Sequence, residues 1–128
     1  MGNPVDIVNV AHLYGMNQQT RLGSANTLTD IMTAVATNYT HKVNQIIVAN
    51  IDGTNNCDVN VGVELNGTIR YIAYAITIPA DSSLSLLDTP LYLSYDAGVS
   101  LGERLQASAQ NVDDLDITVS WEAMTDVA

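Results

Sequence analysis

An antiparallel all-β fold of about eight short strands is what this sequence predicts, and three observations carry the prediction. Val59, Val61, Val63 and Leu65 alternate with Asp58, Asn60, Gly62 and Glu64, the period-two pattern of a strand with one face in a core and one in water. Asn66-Gly67 follows at once. Both residues tolerate the positive φ that a two-residue type I′ turn demands, so this dipeptide between apolar alternations marks a β-hairpin. Turn-forming clusters then recur about every 8–12 residues with no convincing helix between them, the spacing of a sandwich or barrel rather than of a parallel sheet.

Ile7 to Leu13 reads as a first strand whose faces are both mixed, Ile7, Asn9, Ala11 and Leu13 against Val8, Val10 and His12. Such a strand is buried on both sides or lies in a subunit contact. Tyr14 to Ser24 has no sustained period and reads as a loop or extended arm, so residues 1–25 form an N-terminal strand and arm. Thr27 to Val35 is rich in β-formers and is assigned a strand, although Leu28, Ile31, Met32 and Val35 also fit helical spacing. Asn38-Tyr39-Thr40-His41 reads as a turn, and Val43 to Ile51, with Ile46 and Val48 against Ile47 and Ile51, as a central strand. The polar loop Asp52 to Asn56 is long enough to turn a corner.

After the hairpin, Ile72, Tyr74, Ile76 and Ile78 are expected on one face of a strand and Tyr71, Ala73, Ala75 and Thr77 on the other. Pro79 ends it, because proline cannot donate a ladder hydrogen bond. Ser83 to Leu87 and Leu91 to Tyr95 are short strands around Asp88-Thr89-Pro90, and Asp96-Ala97-Gly98 is a turn. Leu105, Ala107 and Ala109 alternate with Arg104, Gln106 and Ser108. Asn111 to Asp114 then turns the chain into Leu115 to Glu122, whose Ile117, Val119 and Trp121 point one way. Trp121, the sole tryptophan, is expected between the sheets. With no internal repeat, linker or low-complexity segment, residues 1–128 make one domain, large enough to bury about two thirds of its unfolded surface.

Fourteen acidic residues against four basic ones give a net charge of −10, which disfavours nucleic acid and anionic membranes as partners. The first fifteen residues carry no basic n-region and no long apolar run, so neither a signal peptide nor a membrane span is expected. Cys57 has no possible intrachain disulfide partner and reads as a small buried side chain at a strand start, in keeping with a reducing cytoplasm. Charged residues make up 14% of the chain, against about 25% in ordinary domains. With a single lysine, a surface this neutral implies coverage by copies or partners.

No enzyme, cofactor or metal is called for. His12 and His41 stand apart without a His or Cys at ligand spacing and read as partly exposed polar residues near strand ends. Asp113-Asp114-Leu115-Asp116 lacks the D-x-[DN]-x-[DN]-G pattern of a calcium loop and reads as a solvated turn, with cation binding left open. There is no G-x-S-x-G elbow, phosphate-cradling glycine loop or catalytic cysteine motif. Tyr71, Tyr74, Tyr92 and Tyr95 could line a sugar-binding surface, yet sheet packing explains them too.

Several segments nonetheless resemble a family. KVNQIIVANIDGTN from Lys42, DVNV from Asp58, ITIPADSSLSL from Ile76, PLYL from Pro90, GERLQASA from Gly102 and ITVSWE from Ile117 are similar to small β-sandwich virion proteins of tailed bacteriophages, of the capsid cement or decoration type. The likeness runs from Lys42 to Glu122, about two thirds of the chain, with a looser match around Val10 to Gly15. Glu103 departs from the more familiar Gly-Asp dipeptide. The resemblance implies a jelly-roll-like sandwich, usually trimeric, that sits on the outer capsid surface in the virion, is made in the host cytoplasm, and stabilises contacts between copies of its partner, the major capsid protein. Related proteins also occur in tails and head fibres, which keeps a receptor- or carbohydrate-binding module as the alternative. Tyr14, Met16, Asn17, Arg21 and Leu22 are the candidate interface residues, because a segment without its own core gains order by docking on a neighbour.

Overall fold

The structure, a computed structural model, describes residues 10–126. Ile7, Val8 and Asn9 of the predicted first strand lie outside the described residues. Within them the chain forms ten strands: β1 (Val10–Arg21), β2 (Thr29–Met32), β3 (Tyr39–Asn50), β4 (Cys57–Leu65), β5 (Thr68–Ile78), β6 (Ser83–Ser85), β7 (Leu91–Asp96), β8 (Leu101–Gly102), β9 (Arg104–Ala109) and β10 (Leu115–Asp126). One sheet has the order β1-β10-β3-β7-β8, with β6 also on β3, and the other the order β2-β9-β4-β5.

The pairings nest around the hairpin that Asn66-Gly67 closes, where φ is +52° and +83°. β4 pairs with β5, β3 with β7, β2 with β9 and β1 with β10, all antiparallel. These four pairs form one long ribbon. Rolled up, it also lays β10 along β3 and β9 along β4, which closes the two sheets into a jelly roll. Ile46 and Val48, Val59 and Val61, Leu105 and Ala107, and Ile117 and Val119 meet between the sheets, each fully buried. Cys57 is buried at the start of β4, and burial holds its thiol pKa above the ordinary value. Trp121 lies in the same core, 3% exposed.

Four local expectations change. Tyr14 to Arg21 is a continuation of β1, because every residue from Val10 to Asn17 is exposed and a strand that buries neither face leaves no alternation to read. The turn before β3 is Thr37-Asn38, with Asn38 at φ +66° and the Tyr39 N–H donating to the Ala36 carbonyl at 3.0 Å, and Tyr39, Thr40 and His41 already belong to the strand. The predicted strand at Thr27 to Val35 contracts to β2, where a register shift between Asp30 and Met32 lets adjacent Ile31 and Met32 both be buried. In β5 the expected inner face breaks in the middle. Val61 pairs with Ala73 and Val59 with Ile76, so Tyr74 and Ala75 are looped out between them, and Ile72 is extra between Tyr71 and Ala73. Ile76 packs on the core and Ile78 is buried, but Ile72 and Tyr74 are exposed at 40% and 66%. Ala75 takes φ +52°, and its N–H donates to Asn60 Oδ1 at 2.6 Å.

The loop Asp52 to Asn56 carries the chain from one sheet to the other. The Asn50 side chain holds it, donating to the Ile78 carbonyl at 2.9 Å and the Asn55 carbonyl at 3.0 Å. Asp52 Oδ1 accepts the N–H groups of Thr54 and Asn55, and those bonds keep its carboxyl below the usual range.

Candidate assembly edge

β1 is the edge strand of its sheet, and its register with β10 runs unbroken from His12↔Thr125 to Arg21↔Asp116. The Leu22 N–H donates to the Leu115 carbonyl at 3.0 Å, which fixes the phase of the ladder. Backbone groups in an antiparallel pair alternate between the partner and the opposite side. Leu22, Thr20, Gln18, Met16 and Tyr14 therefore bond to β10, while Leu13, Gly15, Asn17, Gln19 and Arg21 present N–H and C=O groups outward.

As far as Asn17 both faces of the strand are bare, and Gln18 and Thr20 beyond it are half-buried. Met16 and Tyr14 stand opposite Trp121 and Ala123 on the inner side, yet β2 is only four residues long, and the two side chains are 45% and 46% exposed. Leu13, on the outer side, is 54% exposed. Between Val10 and Arg21 there is no Asp, Glu, Lys or Pro, although the chain carries fourteen acids. Edge strands in soluble proteins are ordinarily blunted by charge, proline, bulges or short length, and from His12 to Arg21 this one has none of those except Arg21 at its end.

Of the predicted interface residues, Tyr14, Met16, Asn17 and Arg21 are exposed on β1, but Leu22 is 1% exposed and belongs to the core. Arg21 makes a two-point contact with Asp116, Nε to Oδ1 at 2.8 Å and Nη2 to Oδ2 at 3.0 Å. That hydrogen-bonded guanidinium holds the Asp116 carboxyl below the usual range, and the carboxylate in turn raises the arginine. The pair fastens the foot of β1 to β10.

A concavity of about 890 Å³ opens between the β5 and β7 edges of the two sheets. Val63, Leu65, Leu91 and Leu93 line its walls, with Arg70, Tyr92, Asp96 and Glu103 around them. Arg21, Lys42 and Arg104 have carboxylate partners, which leaves Arg70 as the cation without an ion pair among the described residues. The Ser94 N–H donates to Glu103 Oε1 at 2.8 Å, and the Gly98 N–H to Asp96 Oδ1 at 2.8 Å. Glu103 thus holds backbone of β7, and Asp96 holds the turn that follows it. Tyr74 and Tyr92 are 66% and 61% exposed, more than sheet packing explains, while Tyr71 and Tyr74 meet edge-to-face at 72° and so do not form a flat stacking platform.

The histidines differ from each other. His12 is exposed beside Tyr14. His41, expected to be partly exposed, is 6% exposed and stacks on Trp121 at 5.7 Å. Burial pushes its pKa down to about 4. Neither His41 Nδ1 nor Trp121 Nε1 has a hydrogen-bond partner. Among the described residues no three His, Cys, Asp or Glu side chains gather as metal ligands.

No protein-family model and no curated protein matches the chain. Similar solved structures include the infectious bursal disease virus VP2 subviral particle, with TM-score 0.48 and 11% identity over 90% of this chain and 32% of that one. A pentameric capsid protein from metagenomic phage sequences aligns with TM-score 0.38 and 19% identity over 84% of this chain and 60% of that one. The CBM22-1 xylan-binding domain of Paenibacillus barcinonensis Xyn10C aligns with TM-score 0.44 and 12% identity over the full length of both. The chain spans about a third of VP2 and three fifths of the phage capsid protein. Likeness at this level assigns no family.

Proposed function

We propose that the chain is a bacteriophage virion structural protein, a capsid cement or decoration protein that binds the outer capsid surface and strengthens contacts between major capsid proteins. It is made in the host cytoplasm and works as a homo-oligomer, a trimer by the family resemblance. The observation that carries this reading is β1: a long, regular, acid-free edge, bare on both faces as far as Asn17, on a molecule of net charge −10. A free monomer exposing such an edge would aggregate, so the strand is suited to a partner. The sequence resemblance from Lys42 to Glu122 favours a capsid as the assembly in which the chain works. Fold alone does not, since jelly rolls serve capsids and lectins alike.

The test is decoration. Purified protein added to expanded capsids that lack it is expected to saturate at hundreds of copies per particle and to raise the temperature at which the capsids rupture. Absence of binding, or binding without added heat resistance, contradicts the proposal. The exposed Tyr74 and Tyr92 favour one second reading, a carbohydrate-binding module of a tail or head fibre. Particles would then hold tens of copies or fewer, and glycan binding would fall on replacing either tyrosine with alanine.

A further inference from the structure

We infer that the open edge of β1 pairs with β1 of a second copy, antiparallel, across a twofold axis at Asn17. This rests on the reading of β1 as an assembly surface and names what covers it. An outward backbone group is satisfied only by an outward group of the partner strand. With the axis at Asn17, Leu13 faces the partner's Arg21, Gly15 faces the partner's Gln19, and Asn17 faces its own copy. All five outward residues of one strand then meet the five of the other, forming about ten backbone hydrogen bonds. Axes placed elsewhere along the strand leave some of those groups unpaired.

The side chains agree with this register. Met16 lies opposite the partner's Gln18 and diagonal to the partner's Met16, close enough for contact across the axis on the inner face. No carboxylate belongs to either strand, so two bodies of net charge −10 approach there without apposing acids, and Arg21 of each copy lies beside an apolar Leu13. The other edges of the chain do not fit as partners for β1. β2 has four residues, and β5 is broken by its two register shifts. On β7, the Glu103 N–H donates to the Ser94 carbonyl and the Glu103 carboxylate accepts the Ser94 N–H, so that position is covered. A twofold contact through β1 leaves the remaining surface for a threefold contact and for the capsid.

The experiment uses the full chain with Cys57→Ala as background. Asn17→Cys is oxidised under mild conditions beside Thr68→Cys, an exposed position on β5. The expected result is a covalent dimer from Asn17→Cys and none from Thr68→Cys, since an intermolecular disulfide needs Cα atoms about 4.4–6.8 Å apart. Failure of Asn17→Cys to cross-link, or equal cross-linking of both, overturns the pairing. Two further variants are read by sedimentation. Gln19→Pro removes an outward N–H, and Asn17→Lys sets two ammonium groups on the axis; each is expected to weaken self-association at least tenfold while the circular dichroism spectrum stays that of the parent. Unchanged association in the folded Asn17→Lys protein also overturns it. Capsid decoration separates the two proposals: decoration by the wild-type protein with no cross-linking of Asn17→Cys sinks the pairing alone, and cross-linking of Asn17→Cys without decoration by the wild-type protein sinks the cement reading alone.

Discussion

β1 and β5 are the two long edge strands, one at the margin of each sheet, and in charge they are alike. Each is free of Asp and Glu, each carries one arginine, and together they hold half of the exposed large apolar side chains among the described residues. Their backbones differ. Two bulges divide the register of β5 into short pieces at Ile72 and at Tyr74-Ala75, whereas β1 runs regularly from His12 to Arg21. Bulging twists a strand and spoils it as a template for another. Exposed apolar residues therefore do not by themselves mark an assembly edge. An uninterrupted row of unpaired backbone groups does, and among the described residues only β1 has a long one.

The comparison can be broken from behind. Trp121 sits on β10 opposite Met16 and is the largest side chain supporting β1's sheet. Trp121→Ala is expected to cost about 3–5 kcal/mol, read as a lower urea midpoint. Fluorescence of the parent should be blue-shifted and shielded from acrylamide in the isolated subunit. Red-shifted emission that becomes protected only on assembly would move Trp121 into the interface.

Acid tests the same region through His41. Well above pH 6.5 the imidazole is neutral in both folded and unfolded chains; as pH falls toward 4 the unfolded chain takes up the proton first, so the folded state is disfavoured. The loss totals roughly 3 kcal/mol by pH 4, at about 1.4 kcal/mol per pKa unit. Urea midpoints between pH 7 and 4 should fall less steeply in His41→Leu than in the parent. Equal slopes would place the acid sensitivity in the carboxylates alone.

On β5 the effect is smaller and opposite in sign. Ala75 holds a left-handed conformation that costs an L-residue roughly 1 kcal/mol, so Ala75→Gly should raise stability by up to that amount and leave self-association unchanged. A change in association would mean that β5 participates in assembly and would erase the distinction. Smallest of all, Arg21→Gln removes an exposed ion pair at the foot of β1, and its thermal midpoint should stay close to the parent's, with any difference vanishing in high salt.

Much of the fold was legible because burial writes itself into alternation. Val59 and Val61, Leu105 and Ala107, Ile117 and Val119 announced half-buried strands, and Asn66-Gly67 announced the turn on which the ribbon is built. Where burial was absent, so was the signal. The Tyr14–Arg21 part of β1 read as an arm because as far as Asn17 no core meets either of its faces. Periodicity misplaced the face of β5 for another reason, since a bulge shifts phase without leaving any mark stronger than an alanine at positive φ. His41 looked like turn residue because its burial depends on Trp121, eighty residues further along the chain. Tyr14, Met16, Asn17 and Arg21 were singled out by their lack of pattern and are exposed, while the same criterion took in Leu22, which is buried.

Amide hydrogen exchange, resolved residue by residue, tests the central claim most directly. In concentrated protein the outward amides of Leu13, Gly15, Asn17, Gln19 and Arg21 should be protected alongside the inward amides of Tyr14, Met16, Gln18 and Thr20. On dilution the outward set alone should lose protection, and the outer amides of β5 should exchange freely throughout. Outward β1 amides that exchange freely at every concentration, or protection that appears on β5 instead, would contradict the account.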